Sequence, residues 1–525
     1  MKKIFFVVIL STITVQLQAQ NTTALNGTFF APSGTKIILQ NNNTDDLALT
    51  AKKDTGKIYS RNPFSFTKKL AAGANYNVTV KSIPVGMSCK ITNGYNVMPS
   101  TGVKIECDNS YDLISRSTKD STLSTFYECT SPVVAGPLTY EGRYVAFVSY
   151  GAGFCGTTGK YRQIFWRDRN TGITKLVSLN VNGEEGNGNS FAPSMSVDGH
   201  TVAFESYATN LVEGDANGVR DIFVWDFFTG KVQRVSVGAG NVEANAQSFQ
   251  PSVMAGEIAY VSNASNLTGG VDGTSTTNVY WSNLTTGEQK LISIDPKTGK
   301  GVGGSNPSIN MDGGGGTKIA FCSYASSLVA DDNNGLWDIF VWNPYKPLKR
   351  VSLTSTGGER NQGTESSSRD VAPSISGNGR YVAFATTATN MVPNDNNNAQ
   401  DVFVVDTETG AVVRASVNIN GKEGDADSPI GQGEKIAINY DGTWTAFTTR
   451  ATTLGVPEFN IVMHNGITGE TRTVSKVTGS QVGVPVLSLK ANYVIFGMGS
   501  PLDARFKSSG IFAAFTAISG SRFNY

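Results

Sequence analysis

The 525-residue sequence predicts an all-β chain: a seven-bladed β-propeller, alternatively six-bladed, preceded by a small β-sandwich-like domain. Three observations predict it. Short runs of Val, Ile and aromatic residues alternate with polar ones and no long 3.6-residue periodicity appears, which is the pattern of strands rather than helices. Glycine is abundant, at 57 residues, as a chain with many turns requires. From about residue 131 onward the sequence repeats with a period of roughly sixty residues, the signature of stacked or radial units.

Residues 1–20 read MKKIFFVVILSTITVQLQAQ. Lys2 and Lys3 precede an apolar run from Ile4 to Leu10, and Ala19 and Gln20 lie near a cleavage point. The run is too short to span a bilayer, so it reads as a removed secretory signal. No Cys follows the cut, so no lipid anchor is expected, and no later segment is apolar for long enough to cross a membrane. The mature chain is expected to be soluble and either periplasmic or secreted. Its net charge of +1 argues against nucleic acid or an anionic membrane as a partner bound by bulk charge.

Residues 21–110 are expected to form the β-sandwich-like domain. GTFFAPSGTKIILQ and NYNVTV are short alternating stretches between Asn and Gly turns, with Tyr76, Val78 and Val80 on one face. The five cysteines of an exported chain suggest disulfides plus one odd thiol. Cys89 and Cys107 flank a hairpin-like stretch, and Cys129 and Cys155 fall near each other in the first repeat, so these are the expected pairs. Cys322 follows Phe321 in an apolar strand and reads as a buried thiol. Spacing alone leaves the connectivity open.

Residues 111–525 carry the repeat. Two copies are clear: PSMSVDGHTVAFESYATNLVEGDANGVRDIFVWDFFTGKVQRVSV and PSISGNGRYVAFATTATNMVPNDNNNAQDVFVVDTETGAVVRASV. The aligned aromatic falls at Phe147, Phe204, Tyr260, Phe321, Phe384, Phe447 and Phe496. Each copy divides into four strands. Strand a is the Pro-Ser segment (Pro193 to Ser196, Pro373 to Ser376), and strand b is YVAF or its equivalent. Strand c is IFVWD or its equivalent (Ile222 to Asp226, Ile339 to Asn343, Val402 to Asp406). Strand d is RVS or KLVS (Lys175 to Ser178, Arg234 to Ser236, Arg350 to Ser352). Strands b and c are apolar on both faces, as sheets packed between neighbouring sheets must be. Radial stacking meets that need and hides most edges. Leu113 to Ser117 resembles a d strand and is expected to close the ring beside Ile511 to Phe515.

The Gly-turn-VAF strand and the DIFVWD strand resemble the TolB-like propeller repeats of exported bacterial proteins, over about residues 131–525. The resemblance implies a fold and a compartment. Propellers of this kind serve many functions, so it implies no activity.

Up-and-down topology sorts the loops. The a–b and c–d turns are short (VDGH, GNGR, TETG), while the b–c and d–a loops are long (ATNLVEGDANGVRD, NVNGEEGNGNSFA), and binding usually resides on long loops held by a rigid scaffold. Three b–c loops repeat one acid pattern: Asp215, Asn217 and Asp221; Asp332, Asn334 and Asp338; Asp395, Asn397 and Asp401. Oxygen ligands at alternate positions suit Ca²⁺, the one cofactor suggested, though no distal bidentate Glu completes the set. Asp and Asn in such loops also bond their own backbone, and repetition favours that architectural reading.

Catalytic patterns are weak. His200 sits in an a–b turn and His464 in a strand c, and neither has metal-type spacing or a Gly-x-Ser-x-Gly elbow. Carboxylates such as Glu184, Glu185 and Asp425 could meet across blades on the long-loop face. Trp166, Trp225, Trp281 and Trp342 recur in strand c and read as inter-blade core. The leading expectation is a non-catalytic binding or scaffold protein holding a protein, peptide or glycan. The alternative is a hydrolase or lyase on polysaccharide or peptide, using carboxylates at the channel mouth.

Overall fold

The computed structural model describes residues 22–32, 35–52, 59–83, 87–100, 102–109, 111–115, 130–135, 142–254, 256–269, 277–311, 316–362, 372–431, 434–455, 459–475, 482–498 and 510–516. The expected signal peptide lies outside them, as does Cys129. Among the described residues no helix is long and apolar enough to cross a membrane. The chain divides into two compact units, Met1–Pro84 with Ser88–Asn109, and Val85–Met87 with Ser110–Tyr525.

The first unit has two four-stranded sheets. One orders its strands Tyr59–Ala71, Thr22–Pro32, Val103–Asn109 and Met87–Thr92, and the other Asp45–Thr50, Lys36–Asn41, Asn75–Ser82 and Tyr95–Val97. Alternation decides what is inside: Phe29 and Ala31, Ile37 and Leu39, Phe64 and Phe66, Tyr76 and Val78, and Val103 and Ile105 are buried at two-residue spacing. Cys89 and Cys107 form a disulfide between adjacent strands.

The second unit is a β-propeller built from seven four-stranded antiparallel sheets. The first is Thr130–Ala135, Tyr144–Ser149, Gln163–Asp168 and Thr174–Leu176, and the second Ser190–Met195, Thr201–Ser206, Asp221–Asp226 and Val232–Arg234. The third is Ser248–Met254, Glu257–Ser262, Asn278–Asn283 and Gln289–Leu291, and the fourth Ser305–Ile309, Ile319–Ser323, Asp338–Asn343 and Lys346–Arg350. The fifth is Ser374–Ile375, Tyr381–Thr386, Asp401–Asp406 and Val412–Arg414, and the sixth Ala437–Ile438, Trp444–Thr449, Asn460–Asn465 and Thr471–Thr473. The seventh joins Val486–Leu487, Tyr493–Met498 and Gly510–Phe515 to Tyr111–Leu113, from the start of the unit. Inner strands of successive sheets adjoin, and those of the seventh adjoin the first.

All seven aligned aromatics are buried in the second strand of their sheets. Six of them pack on an aromatic of the third strand at 5.6–6.4 Å between centroids: Phe147 on Phe165, Phe204 on Phe223, Tyr260 on Tyr280, Phe321 on Phe340, Phe384 on Phe403 and Phe496 on Phe512. Trp166, Trp225 and Trp281 are buried, while Trp342 is half-buried.

The fourth strands sit about two residues earlier than the sequence predicts, and the RVS serine explains it. Ser178, Ser236, Ser293, Ser352, Ser416 and Ser475 lie just past the ladder. Each accepts, on its Oγ, the N–H of the second residue of strand c, at 2.9–3.1 Å. Each also bonds the side chain that opens strand c: Gln163, Asp221, Asn278, Asp338, Asp401 or Asn460. A hydroxyl thus replaces the ladder where the strand ends. Ser115 does the same for Ile511, which is why Tyr111–Leu113 rather than Leu113 to Ser117 closes the seventh sheet. The Pro-Ser serines join neighbouring sheets, since Ser194, Ser252 and Ser308 accept from Val253, Ile309 and Ile375.

Candidate functional site

Antiparallel order places the b–c and d–a loops at one end of every sheet, and two sets of side chains gather there. The outer set contains the predicted acids. Arg234 Nη1 lies 3.2 Å from Asp215, 3.8 Å from Asp221 and 2.7 Å from Glu243. Arg350 lies 2.9 Å from Asp332, 3.6 Å from Asp338 and 2.9 Å from Glu359. Arg414 repeats this with Asp395, Asp401 and Glu423 at 3.2, 3.5 and 2.8 Å. Asn217, Asn334 and Asn397 each donate to the nearby Asp at 2.9 Å and receive a loop N–H on the amide oxygen. A guanidinium therefore stands among all three predicted ligand sets.

Burial pushes the Asp215, Asp332 and Asp395 carboxyls up to about 6, with the neighbouring acids adding to the rise and the arginines opposing it. Asp215 Oδ1 and Asp332 Oδ2 have no aligned donor, which leaves their charge poorly solvated. Glu243 and Glu359 are held below the usual carboxylate range, chiefly by the N–H groups of Ala216 and Asn333.

The partners Arg234, Arg350, Arg414, Glu243, Glu359 and Glu423 were missed from sequence, yet a signal exists. Where strand c opens with Asp, the residue two before the RVS serine is Arg. Where it opens with Gln163, Asn278 or Asn460, that residue is Leu176, Leu291 or Thr473.

The inner set forms an arc of stacked arginine and aromatic side chains across the first three sheets. Arg162 lies over Tyr150 and Phe191 at 5.0 and 5.4 Å. Phe191 meets Tyr207 edge-on, and Arg220 lies over Tyr207 and Phe249 at 5.7 and 4.7 Å. Tyr324 and Trp337 continue the theme in the fourth sheet. Tyr207 and Tyr324 are 42% and 45% exposed. Beside Phe249 and Trp337 opens a cavity of about 380 Å³ lined also by Gln250, Thr277, Gly303, Gly304 and Ser305.

Charged and polar groups of the inner strands are already committed. Glu205 accepts from Arg220 and from the Gln250 N–H, both at 2.8 Å, and Gln250 and Asn306 exchange two bonds of 2.8 Å. Lys435 donates to the Pro307 carbonyl at 2.9 Å, and burial pulls its ammonium down to about 8. Of the loop carboxylates, Glu184 accepts from Asn180, Glu185 from Thr158, and Asp425 from Thr452 and Thr453, so each serves its own loops.

Ser196, Asp198 and His200 have the composition of a catalytic triad, but Ser196 donates to Asp198 rather than to the imidazole. Ser376 and Asn378 build the same turn before Arg380, so it is structural. His464 is buried, bonds Thr471, and is pushed down to about 4 by that burial. Among the described residues no three His, Cys, Asp or Glu side chains gather as a metal site. Cys155 is half-buried and reaches the Thr174 carbonyl, while Cys322 is buried against the Ser305 carbonyl.

No protein-family model and no curated protein matches the chain. Similar solved structures include TolB from Acinetobacter baumannii, at 15% identity and a TM-score of 0.33, over 74% of this chain and 63% of that one. This chain thus spans less than two thirds of the TolB structure. An oligogalacturonate lyase from Vibrio parahaemolyticus aligns at 11% identity and 0.44, over 85% and 98%. The β-propeller domain of the Trilobed protease from Pyrococcus furiosus aligns at 15% and 0.44, over 75% and 94%. At these identities and scores nothing of their activities carries to this chain.

Proposed function

We propose that this chain is an exported, non-catalytic binding protein. Its seven sheets are seven blades, its long-loop face holds a protein, peptide or glycan partner, and the N-terminal β-sandwich-like module tethers or presents it. The observation that carries this reading is the arginine–aromatic arc from Tyr150 to Phe249. Stacking fixes flat side chains that stay half-exposed, so little entropy is lost when a partner covers them. Tyr, Trp and Arg are also the residues that dominate binding energy at interfaces. The competing hydrolase or lyase needs an uncommitted carboxylate at the channel mouth, and Glu205 is bonded on both oxygens.

The test is equilibrium binding of the purified chain to glycan and peptide arrays, with Arg162→Ala and Tyr207→Ala as variants. Each is expected to weaken the selected ligand by roughly 2 kcal/mol, or about thirtyfold. Turnover of a polysaccharide or peptide that Glu205→Gln abolishes would establish the enzyme instead. We further propose that Arg234, Arg350 and Arg414 are the cations of the three acid clusters. A Ca²⁺-dependent rise in Tm that a chelator reverses would overturn this and restore the calcium reading.

A further inference from the structure

A second site lies at the opposite, short-turn end of the ring, and the molecule itself shows what would fill it. Between the first and second sheets, Trp166 stacks on Tyr144 at 5.1 Å, packs on Phe227 at 5.1 Å and meets Trp225 at 6.1 Å. Its indole N–H donates to the Gly199 carbonyl at 2.8 Å. Trp281 and Trp342 fill the corresponding space between the third and fourth sheets, 6.0 Å apart.

Between the fifth and sixth sheets the same frame stands with smaller side chains in place of its large rings. Val404 pairs with Ala383 as Trp166 pairs with Ala146, and His464 pairs with Thr445 as Trp225 pairs with Val202. Gly466 donates to the Thr443 carbonyl as Phe227 donates to that of His200. Tyr381 remains in the place of Tyr144. Gly442 presses on it as Gly199 presses on Tyr144, so close that a Cβ on either glycine would meet the ring at 2.2 or 2.1 Å. The result is a cavity of about 150 Å³ lined by Tyr381, Val404, Val413, Gly442, His464 and Gly466, among others. A cavity of about that volume, largely apolar but edged by polar groups, is enough to hold one small aromatic molecule.

We propose that this slot is a binding site for a small, neutral, indole-type ligand, whose ring stacks on Tyr381 in the place of Trp166 and whose N–H faces Gly442. The chemistry of the lining selects it. Tyr381, Val404, Ala411, Val413, Ala415 and Ile467 supply aliphatic and aromatic wall, and buried His464 carries no charge at neutral pH. Asp406 and Asp441 also line the slot, but Arg380 holds Asp406 at 2.7 Å and Thr443 donates to Asp441. Among the described residues no free cation is therefore left there to pair an anionic ring, whose burial would cost free energy.

Isothermal titration of the full chain with indole is the test, with indole-3-acetate and N-acetyltryptophanamide as comparison arms. Saturable one-to-one binding of indole is expected, with indole-3-acetate weaker. Val404→Trp rebuilds Trp166 inside the slot and should abolish binding. Gly466→Phe rebuilds Phe227, at a position where an added Cβ meets nothing within 4 Å, and should do the same if the first variant does not fold. No saturable indole binding, or undiminished binding by a folded variant, overturns the assignment. Binding of N-acetyltryptophanamide without indole would place the ring on a partner's chain and overturn the small-molecule site.

Discussion

Removing the Arg350 guanidinium tests the account of the acid loops most directly. Its side chain is 4% exposed, with Asp332 and Glu359 both at 2.9 Å and Asp338 at 3.6 Å, and it also donates to the Asp331 carbonyl at 2.6 Å. Arg350→Leu leaves Asp332 and Glu359 without their cation, while Asp338 keeps Arg360, whose Nε lies 3.5 Å away. Glu359 keeps the Asn333 N–H, and Asp338 keeps Ser352 and Asn334. Asp332 is the orphan, because one of its oxygens has no donor even now. Breaking a buried pair from one side costs about 3–5 kcal/mol, most of it the stranded charge. Asp332→Asn in the same chain removes that charge and should recover about 2 kcal/mol or more. All six Trp residues lie in the propeller unit, so urea unfolding followed by Trp fluorescence reports that unit alone. Without the arginine the Asp332 pKa must climb above its present value of about 6, so the deficit of the single variant should shrink as pH falls toward 5. A cost below about 1 kcal/mol, as for a surface ion pair, would refute the reasoning, as would a double variant no better than the single one.

The pH dependence of the native propeller follows from the same groups. Asp215, Asp332 and Asp395 titrate near 6 when folded and near 4 when unfolded, so between those values the folded state binds more protons and stability falls as pH rises. Buried His464, at about 4 against an unfolded value near 6.5, acts in the opposite sense. Burial also raises Asp221, Asp401 and Glu434, which act with the three, and the carboxylates held low act mainly below about pH 4.5. Stability should therefore be greater at pH 5 than at pH 7, and urea midpoints that rise from pH 5 to pH 7 would contradict the assignment. Ser352→Ala strips a bond from the Ile339 N–H and another from Asp338, and should cost about 1–3 kcal/mol in the same assay. Opening the Cys89–Cys107 bridge, with a sequence separation of 18, should destabilise the first unit by about 3 kcal/mol and leave Trp-monitored unfolding of the propeller unchanged.

The repeat was legible because each sheet buries both faces and so must spell out its apolar pattern each time. Phe204, Phe321 and Phe384 announce equivalent positions, and the strands around them stand where alternation put them. The fourth strands were misplaced by two residues because RVS is apolar enough to extend a strand, whereas the serine hydroxyl ends it by taking over the ladder's donor. The acid loops were visible, but the arginine that holds them was hidden as the opening residue of what read as strand d.

What the sequence determined is the repeating unit and the sorting of long and short loops to opposite ends, because both follow from local alternation and turn chemistry. Only the tertiary structure decided which side chains of different sheets meet. Arg162, Phe191, Tyr207 and Arg220 become one surface, and Val404 and His464 leave a slot, because radial packing brings together residues that lie tens of positions apart along the chain. No local pattern records that proximity; it exists only once neighbouring sheets have buried each other's faces.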